Sequence, residues 1–180
     1  MGKRSDFPRM KADLYITPAK AVEPLLPHLP YNSLFWEPCA GYGDLVRALE
    51  AGGMSCAGMS DIERRIPDVI KQDALRDWGS PVWREHSIDF IITNPPWTRQ
   101  LLHEMILRFS SFRPTWLLFD ADWMHTVQAE PYLKHCRKIV SVGRVKWIAD
   151  SEHTGKDNAA WYLFDQSSEG AAEFVGRAAA

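Results

Sequence analysis

The chain is poor in everything that marks a membrane-spanning, disulfide-stapled or repetitive protein. Three cysteines in 180 residues include no Cys-x-x-Cys, and their odd number forces no pairing. A disulfide framework and a structural zinc site are therefore excluded, and a reducing cytoplasm is expected. No apolar run reaches bilayer length, and Met1-Gly2-Lys3-Arg4-Ser5-Asp6 is followed by no signal-type core, so a membrane partner is not expected. Internal repeats, low-complexity runs and evident linkers are also missing, which leaves a single domain of ordinary size with an ordinary apolar content. Neither sign of charge dominates: 21 Lys and Arg face 23 Asp and Glu, for a net charge of −2. A polyanionic partner would have to be met by local clusters. Lys3, Arg4, Arg9 and Lys11 form one such cluster, Lys134, Arg137 and Lys138 another, and Arg144 with Lys146 a third. Each can equally be a solvated charged face.

What the chain does have is tryptophan, eight in all. Trp36, Trp116, Trp147 and Trp161 lie inside apolar runs and read as core. Trp97 is set apart by its neighbours: the run Ile88-Asp89-Phe90-Ile91-Ile92-Thr93 reads as a strand that delivers Asn94-Pro95-Pro96-Trp97 to its end. Two prolines fix φ near −65° and remove two backbone donors, so the carbonyls of Asn94 and Pro95 can face a ligand without competing N–H groups. The Asn94 side chain adds a second type of acceptor. Two acceptors facing an exocyclic NH2 group would hold both of its hydrogens, and Trp97 offers a flat surface for a planar base. A simple strand-ending turn is the plain alternative.

Upstream, Ser33-Leu34-Phe35-Trp36 reads as a strand running into Glu37-Pro38-Cys39-Ala40-Gly41-Tyr42-Gly43-Asp44, after which Leu45, Val46 and Leu49 recur at helical spacing. Gly41 and Gly43 let the backbone approach a ligand closely, as in other strand, Gly-rich turn, helix units. Residues 54–59 read as a second strand, and Asp61 then falls about twenty residues past Gly41, where a carboxylate reaches a ribose hydroxyl in nucleotide-binding α/β folds. Asp73, followed by Ala74, closes a third strand. Near the front, Tyr15-Ile16-Thr17-Pro18 opens a helix over residues 19–29, made irregular by Pro24 and Pro27, with Thr17 as its expected cap. Cys39 reads as a small buried side chain.

In this order, these elements resemble the gamma group of adenine-N6 DNA methyltransferases. Asn94-Pro95-Pro96-Trp97 matches that family's catalytic motif of Asp, Asn or Ser, then Pro-Pro, then an aromatic residue, and Glu37-Pro38-x-x-Gly41-x-Gly43 matches its Gly-rich signature. The resemblance implies a Rossmann-like class I methyltransferase fold, α/β, with a mostly parallel seven-stranded sheet and an antiparallel strand near the C-terminus. It implies S-adenosylmethionine as cofactor, held by Tyr15, Thr17, Glu37, Pro38, Cys39, Ala40, Gly41, Gly43, Asp61, Asp73, Ala74 and Asn94. Of these, Asp73 would contact the adenine amino group of the cofactor. Catalysis would fall to Asn94, Pro95, Pro96 and Trp97, and no metal is called for.

The rest continues the α/β alternation. Residues 99–111 read as a helix, 115–119 as a buried strand, 122–136 as a weaker helix broken at Pro131, and 139–148 and 159–164 as two strands. If the first of that pair runs parallel to the earlier strands, the loop after it overhangs their carboxyl ends. Lys156, Asp157 and Asn158 would then join Trp97 in touching the substrate, although a polar hairpin turn is the alternative. The domain is expected over residues 1–165, with a basic segment over 1–14 and a tail over 166–180. In the gamma group a recognition domain follows the catalytic one. Its absence from this stretch leads to the expectation of relaxed sequence specificity, unless self-association or a recognition partner supplies reading surface. DNA is the expected substrate. RNA adenine, protein glutamine, and a non-catalytic binding subunit remain the alternatives.

Overall fold

The computed structural model describes residues 15–76, 88–147, 155 and 157–177. Strands β1 (Leu34–Glu37), β2 (Ser55–Asp61), β3 (Ile70–Lys71), β4 (Phe90–Thr93), β5 (Thr115–Asp120), β6 (Cys136–Arg144), β7 (Asn158–Phe164) and β8 (Glu173–Val175) form one sheet in the order β3-β2-β1-β4-β5-β7-β6-β8. Every neighbouring pair is parallel except those of β7, which runs antiparallel to both β5 and β6. The central strands are nearly continuous apolar runs, as a parallel sheet covered on both faces requires. Alternation sends Phe35, Ile92, Trp116, Leu118 and Trp161 to one face, and Trp36, Ile91, Leu117, Phe119 and Tyr162 to the other.

Helices α1 (Ala19–Val22) and α2 (Asp44–Ala51) cover the first face with Ala21, Val22, Leu45, Val46 and Leu49. Helix α3 (Arg99–Ser110) covers the second with Leu102, Met105, Ile106 and Phe109. A run of 3-10 turns (Ala121–His125, Val127–Ala129) and the short α4 (Glu130–Leu133) completes that layer. Among the described residues no helix is long and apolar enough to cross a membrane.

Several elements depart from the expected ones. The helix expected over 19–29 is α1 followed by a separate 3-10 turn at Leu26–His28, because Pro24 and Pro27 remove the N–H groups a continuous helix would use. Thr17 does not cap it: Pro18 occupies the cap position and no side chain donates or accepts there. The weak helix of 122–136 is mostly 3-10, with Pro131 in the first turn of α4. Strand β6 ends at Arg144 rather than at Ile148. Among the described residues the sheet has eight strands rather than seven. The extra one, β8, lies within the stretch expected as a tail. Three largely exposed residues carry no periodic signal.

Two of the three cations in the Lys134, Arg137 and Lys138 cluster hold this edge instead of facing a polyanion. Lys138 pairs with Glu173 at 2.9 Å, and Arg137 donates to the carbonyls of Ser168 and Gly170. Arg144 and Lys146 are exposed, and the basic segment over 1–14 lies outside the described residues.

Buried indoles need partners for their N–H groups. Trp36 donates to Ser60 Oγ at 3.1 Å, Trp161 to the Ala21 carbonyl at 2.8 Å, and Trp123 to His103 Nε2 at 3.0 Å. His103 also stacks on Tyr132 with ring centroids 4.3 Å apart. Accepting from Trp123 requires an unprotonated Nε2. Burial, and secondarily the nearby Arg99 cation, lower the His103 pKa below its ordinary 6.5. The contribution of the neutral ring is therefore complete above pH 6.5 and is lost as pH falls toward the lowered folded value. Compared by urea titration across pH 5–8, wild type should lose more stability toward acid than His103→Gln, which keeps an acceptor without titrating. Parallel curves would remove His103 from that role.

Candidate active site

Parallel pairing of β1 with β4, Phe35 opposite Phe90 and Trp36 opposite Ile91, brings their carboxyl ends to one edge. The Gly-rich turn leaves β1 there and Asn94 leaves β4 beside it. The turn is shaped by its two glycines. Gly41 and Gly43 both have positive φ, 54° and 77°, a region that costs a side-chain-bearing residue strain. The Gly43 N–H donates to Ala40 O at 2.7 Å and the Ala40 N–H to Ser60 O at 2.9 Å, which fastens the turn to β2. Gly43 is the cap residue of α2. An added Cβ there would meet Arg47, Met59 and Ile66, so its role is turn geometry and packing.

A cavity of about 530 Å³ opens at this edge, within the range of pockets that enclose small ligands. Of the residues picked out from sequence, Tyr15, Thr17, Glu37, Pro38, Cys39, Ala40, Gly41, Asp61, Asp73, Ala74, Asn94 and Pro96 line it. Gly43, Pro95, Trp97, Asp157 and Asn158 do not, and Lys156 lies outside the described residues. Pro95 is buried. Asp157 and Asn158 stand where β7 begins, at the same sheet edge, because β6 runs parallel to β5 as anticipated.

The cavity is acid-rich. Asp61, at the end of β2, accepts from the Gly41 N–H (2.9 Å), the Glu63 N–H (2.9 Å) and Arg65 (3.0 Å), so its carboxylate ties the Gly-rich turn to the following loop. Asp73 accepts from the Leu75 N–H at 2.9 Å and faces Arg76 at 3.7 Å. Glu37 is almost wholly buried, at 1% exposure. Its Oε1 accepts from the Cys39 N–H at 2.9 Å, whereas neither its Oε2 nor the neighbouring Thr93 hydroxyl completes a well-formed hydrogen bond. Burial pushes the Glu37 pKa up to about 8; the Thr93 hydroxyl and the Cys39 amide draw it down less, and the Asp61 charge raises it further. The Cys39 thiol is pushed well above its ordinary range by burial and by Glu37, so it stays protonated, in keeping with a packing role.

Beyond the cavity, the catalytic-type tetrapeptide is held in a hydrogen-bonded frame. The Trp97 N–H donates to Asn94 Oδ1 at 3.3 Å and to the Leu118 carbonyl at 3.2 Å, and Asn94 Nδ2 donates to Thr17 Oγ1 at 3.1 Å. Trp97 meets Trp147 edge to face, with centroids 5.5 Å apart, and Trp147 lies 6.3 Å from Tyr15. Trp147, read from sequence as core, is instead half-buried in the segment after β6 and forms part of an aromatic wall beside Asn94. Its position inside an apolar run concealed this, because β6 ends at Arg144, four residues earlier than that run suggests. Other residues missed from sequence are Tyr42, Ile62 and Leu101, exposed apolar side chains gathered around the cavity. Ile62 directly follows the strand-end carboxylate, and that adjacency was the available signal. Leu101 sits in the first turn of α3, where helical spacing groups it with the buried Leu102 and Met105.

No known family profile matches the sequence, and no curated protein matches it. Solved structures do match by shape. A protein provisionally described as the modification subunit of a type I restriction enzyme from Vibrio vulnificus aligns over 93% of this chain and 48% of its own, with 14% identity and a TM-score of 0.59. The type I restriction-modification methyltransferase subunit from Streptococcus thermophilus aligns over the same shares with 11% identity and a TM-score of 0.59. A protein provisionally described as an RNA methyltransferase from Pyrococcus horikoshii aligns over 91% of this chain and 93% of its own, with 15% identity and a TM-score of 0.57. The chain thus spans about half the length of the type I subunits.

Glu37 makes the site's electrostatics testable. A folded pKa of about 8 against an ordinary 4.5 means that ionisation of Glu37 is resisted in the folded state. Stability associated with the neutral acid is complete below pH 4.5 and is lost as pH rises to about 8, an effect on the order of a few kcal/mol. Glu37→Gln should therefore be more stable than wild type above pH 8, with the difference shrinking toward pH 5 in chemical denaturation. A difference independent of pH would mean that Glu37 is already ionised. The strand order, the single antiparallel strand and the shape of its structural neighbours establish the fold: this chain has the Rossmann-like class I methyltransferase fold.

Proposed function

We propose that this protein transfers the methyl group of S-adenosylmethionine to the N6 amine of adenine in DNA. The observation that carries the reading is the continuity of the cavity from the Gly-rich turn and the two strand-end carboxylates to Asn94, the first residue of the catalytic-type tetrapeptide. The residues present fit that cofactor. Glu37 Oε2 is a buried acceptor with no well-formed hydrogen bond, suited to an ammonium group. Asp61 suits ribose hydroxyls and Asp73 an adenine amine, while Ile62 and Leu101 offer apolar surface for a purine ring.

When bound, the cofactor supplies an electrophilic methyl group on a sulfonium. The chain's own part is to orient the nucleophile. Asn94 Oδ1 and the Pro95 carbonyl accept the two hydrogens of the incoming amine and turn its lone pair toward the methyl carbon. No ionised side chain is required to activate it, and positioning provides much of the rate. The wall of Tyr15, Trp147 and Trp97 receives the base, which must leave a duplex at a cost of a few kcal/mol that stacking partly offsets.

Tritiated methyl transfer to DNA, RNA and protein in parallel, followed by nucleoside analysis, tests the reading. Label in N6-methyladenine of DNA is the expected result. Label in RNA or in glutamine would reassign the substrate, and absence of binding heat at millimolar cofactor would sink the cofactor assignment. Asn94→Ala should abolish transfer while cofactor affinity stays within about threefold. Trp147→Ala should raise KM for duplex DNA more than for single strands, since stacking helps to offset base extrusion. Equal effects on both substrates would place Trp147 in packing alone.

A further inference from the structure

Thr17 was expected to cap α1 and to hold the cofactor, and it does line the cavity. It makes no capping bond. Instead, almost fully buried at 6% exposure, it accepts from the side-chain amide of Asn94, a residue far along the chain on another element. The other end of that amide faces Trp97. An indole N–H only donates, so it must meet the carbonyl oxygen of Asn94 and not its nitrogen. This assigns the orientation of the amide from chemistry: Oδ1 toward Trp97, Nδ2 toward Thr17. A flipped amide would set N–H against N–H at Trp97. It would also leave the acceptor that an incoming amine needs pointing toward Thr17.

Resting on the methyl-transfer reading above, we propose that Thr17 is a positioning residue of the reaction: its hydroxyl anchors the Asn94 amide so that the carbonyl oxygen is held on the substrate side. Each end of the amide has one partner in this frame. The second lone pair of Oδ1 is left for an amine hydrogen. Trp97 selects the orientation, and Thr17 restrains rotation about the last side-chain bond, a soft torsion with a broad twofold profile. The segment carrying Thr17 also contributes Tyr15 and Ile16 to the cavity wall, so the nucleophile's acceptor is built onto the same strip of backbone that borders the cofactor site.

The test is Thr17→Val, which keeps the branched shape and removes the hydroxyl, acceptor and donor together, beside Thr17→Ser, which keeps the hydroxyl. Cofactor Kd is read by calorimetry and turnover by methyl transfer at saturating cofactor. Thr17→Val should lower kcat on the order of ten- to hundredfold, as misplacement of a reacting group does, while Kd stays within about threefold. Thr17→Ser should recover most of the loss. A weakened Kd with kcat retained would make Thr17 a cofactor contact and overturn the proposal, as would no change in either quantity. If Thr17→Val fails to fold, Thr17→Ala takes its place with the same expected split. A wild-type protein that binds cofactor but methylates nothing would remove the methyl-transfer reading, and this role with it. A wild type that is active alongside an unaffected Thr17→Val would remove this role alone.

Discussion

The site depends on one constraint, the parallel pairing of β1 with β4. Because both strands run the same way, the turn after β1 and the tetrapeptide after β4 leave the sheet at a common edge. An antiparallel arrangement would put them at opposite ends. The pairing rests on Phe35, Trp36, Ile91 and Ile92, all fully buried, which alternate between the two covered faces. Their burial on both sides makes a one-residue slip costly, since it would exchange every side chain between cores of different shape. The register that places Asn94 beside the Gly-rich turn is therefore held by packing remote from the chemistry.

Around that edge the chain concentrates acidity rather than cationic charge. Glu37, Asp61 and Asp73 stand at the ends of three neighbouring strands or just beyond them, and they are treated differently by their surroundings. Asp61 is paired with the turn amide and with Arg65. Glu37, with no cation beside it among the described residues and its second oxygen short of a well-formed hydrogen bond, is held back from ionisation by burial. Two carboxyl groups in one cavity thus present different faces to a ligand: one held by an arginine and a turn amide, the other a buried acid that resists ionisation. A cationic group arriving at Glu37 would favour its ionised form.

The basic residues have a different distribution. Arg137 and Lys138, which from composition resembled a phosphate-binding patch, fasten the 165–175 stretch and β8 to β6. They help to hold β8 where its backbone pairs with β6 at residues 138–140. Exposed cations remain at Arg144 and Lys146, next to the aromatic wall.

Much of the architecture was determined by the sequence itself. Short buried runs of period two, a glycine turn between a strand and an amphipathic helix, and a proline pair after a strand each have one inexpensive local solution. The Gly-rich turn, the strand-end carboxylates and Asn94 were legible for that reason. Only the tertiary structure could decide what those residues face. Thr17 looks like a helix cap until folding sets it against Asn94, Trp147 looks like core until β6 stops short of it, and β8 is too brief to register before it pairs with β6. Local pattern encodes backbone state. Partnership between residues far apart in the chain depends on which strands lie side by side, and that is settled by packing over the whole sheet.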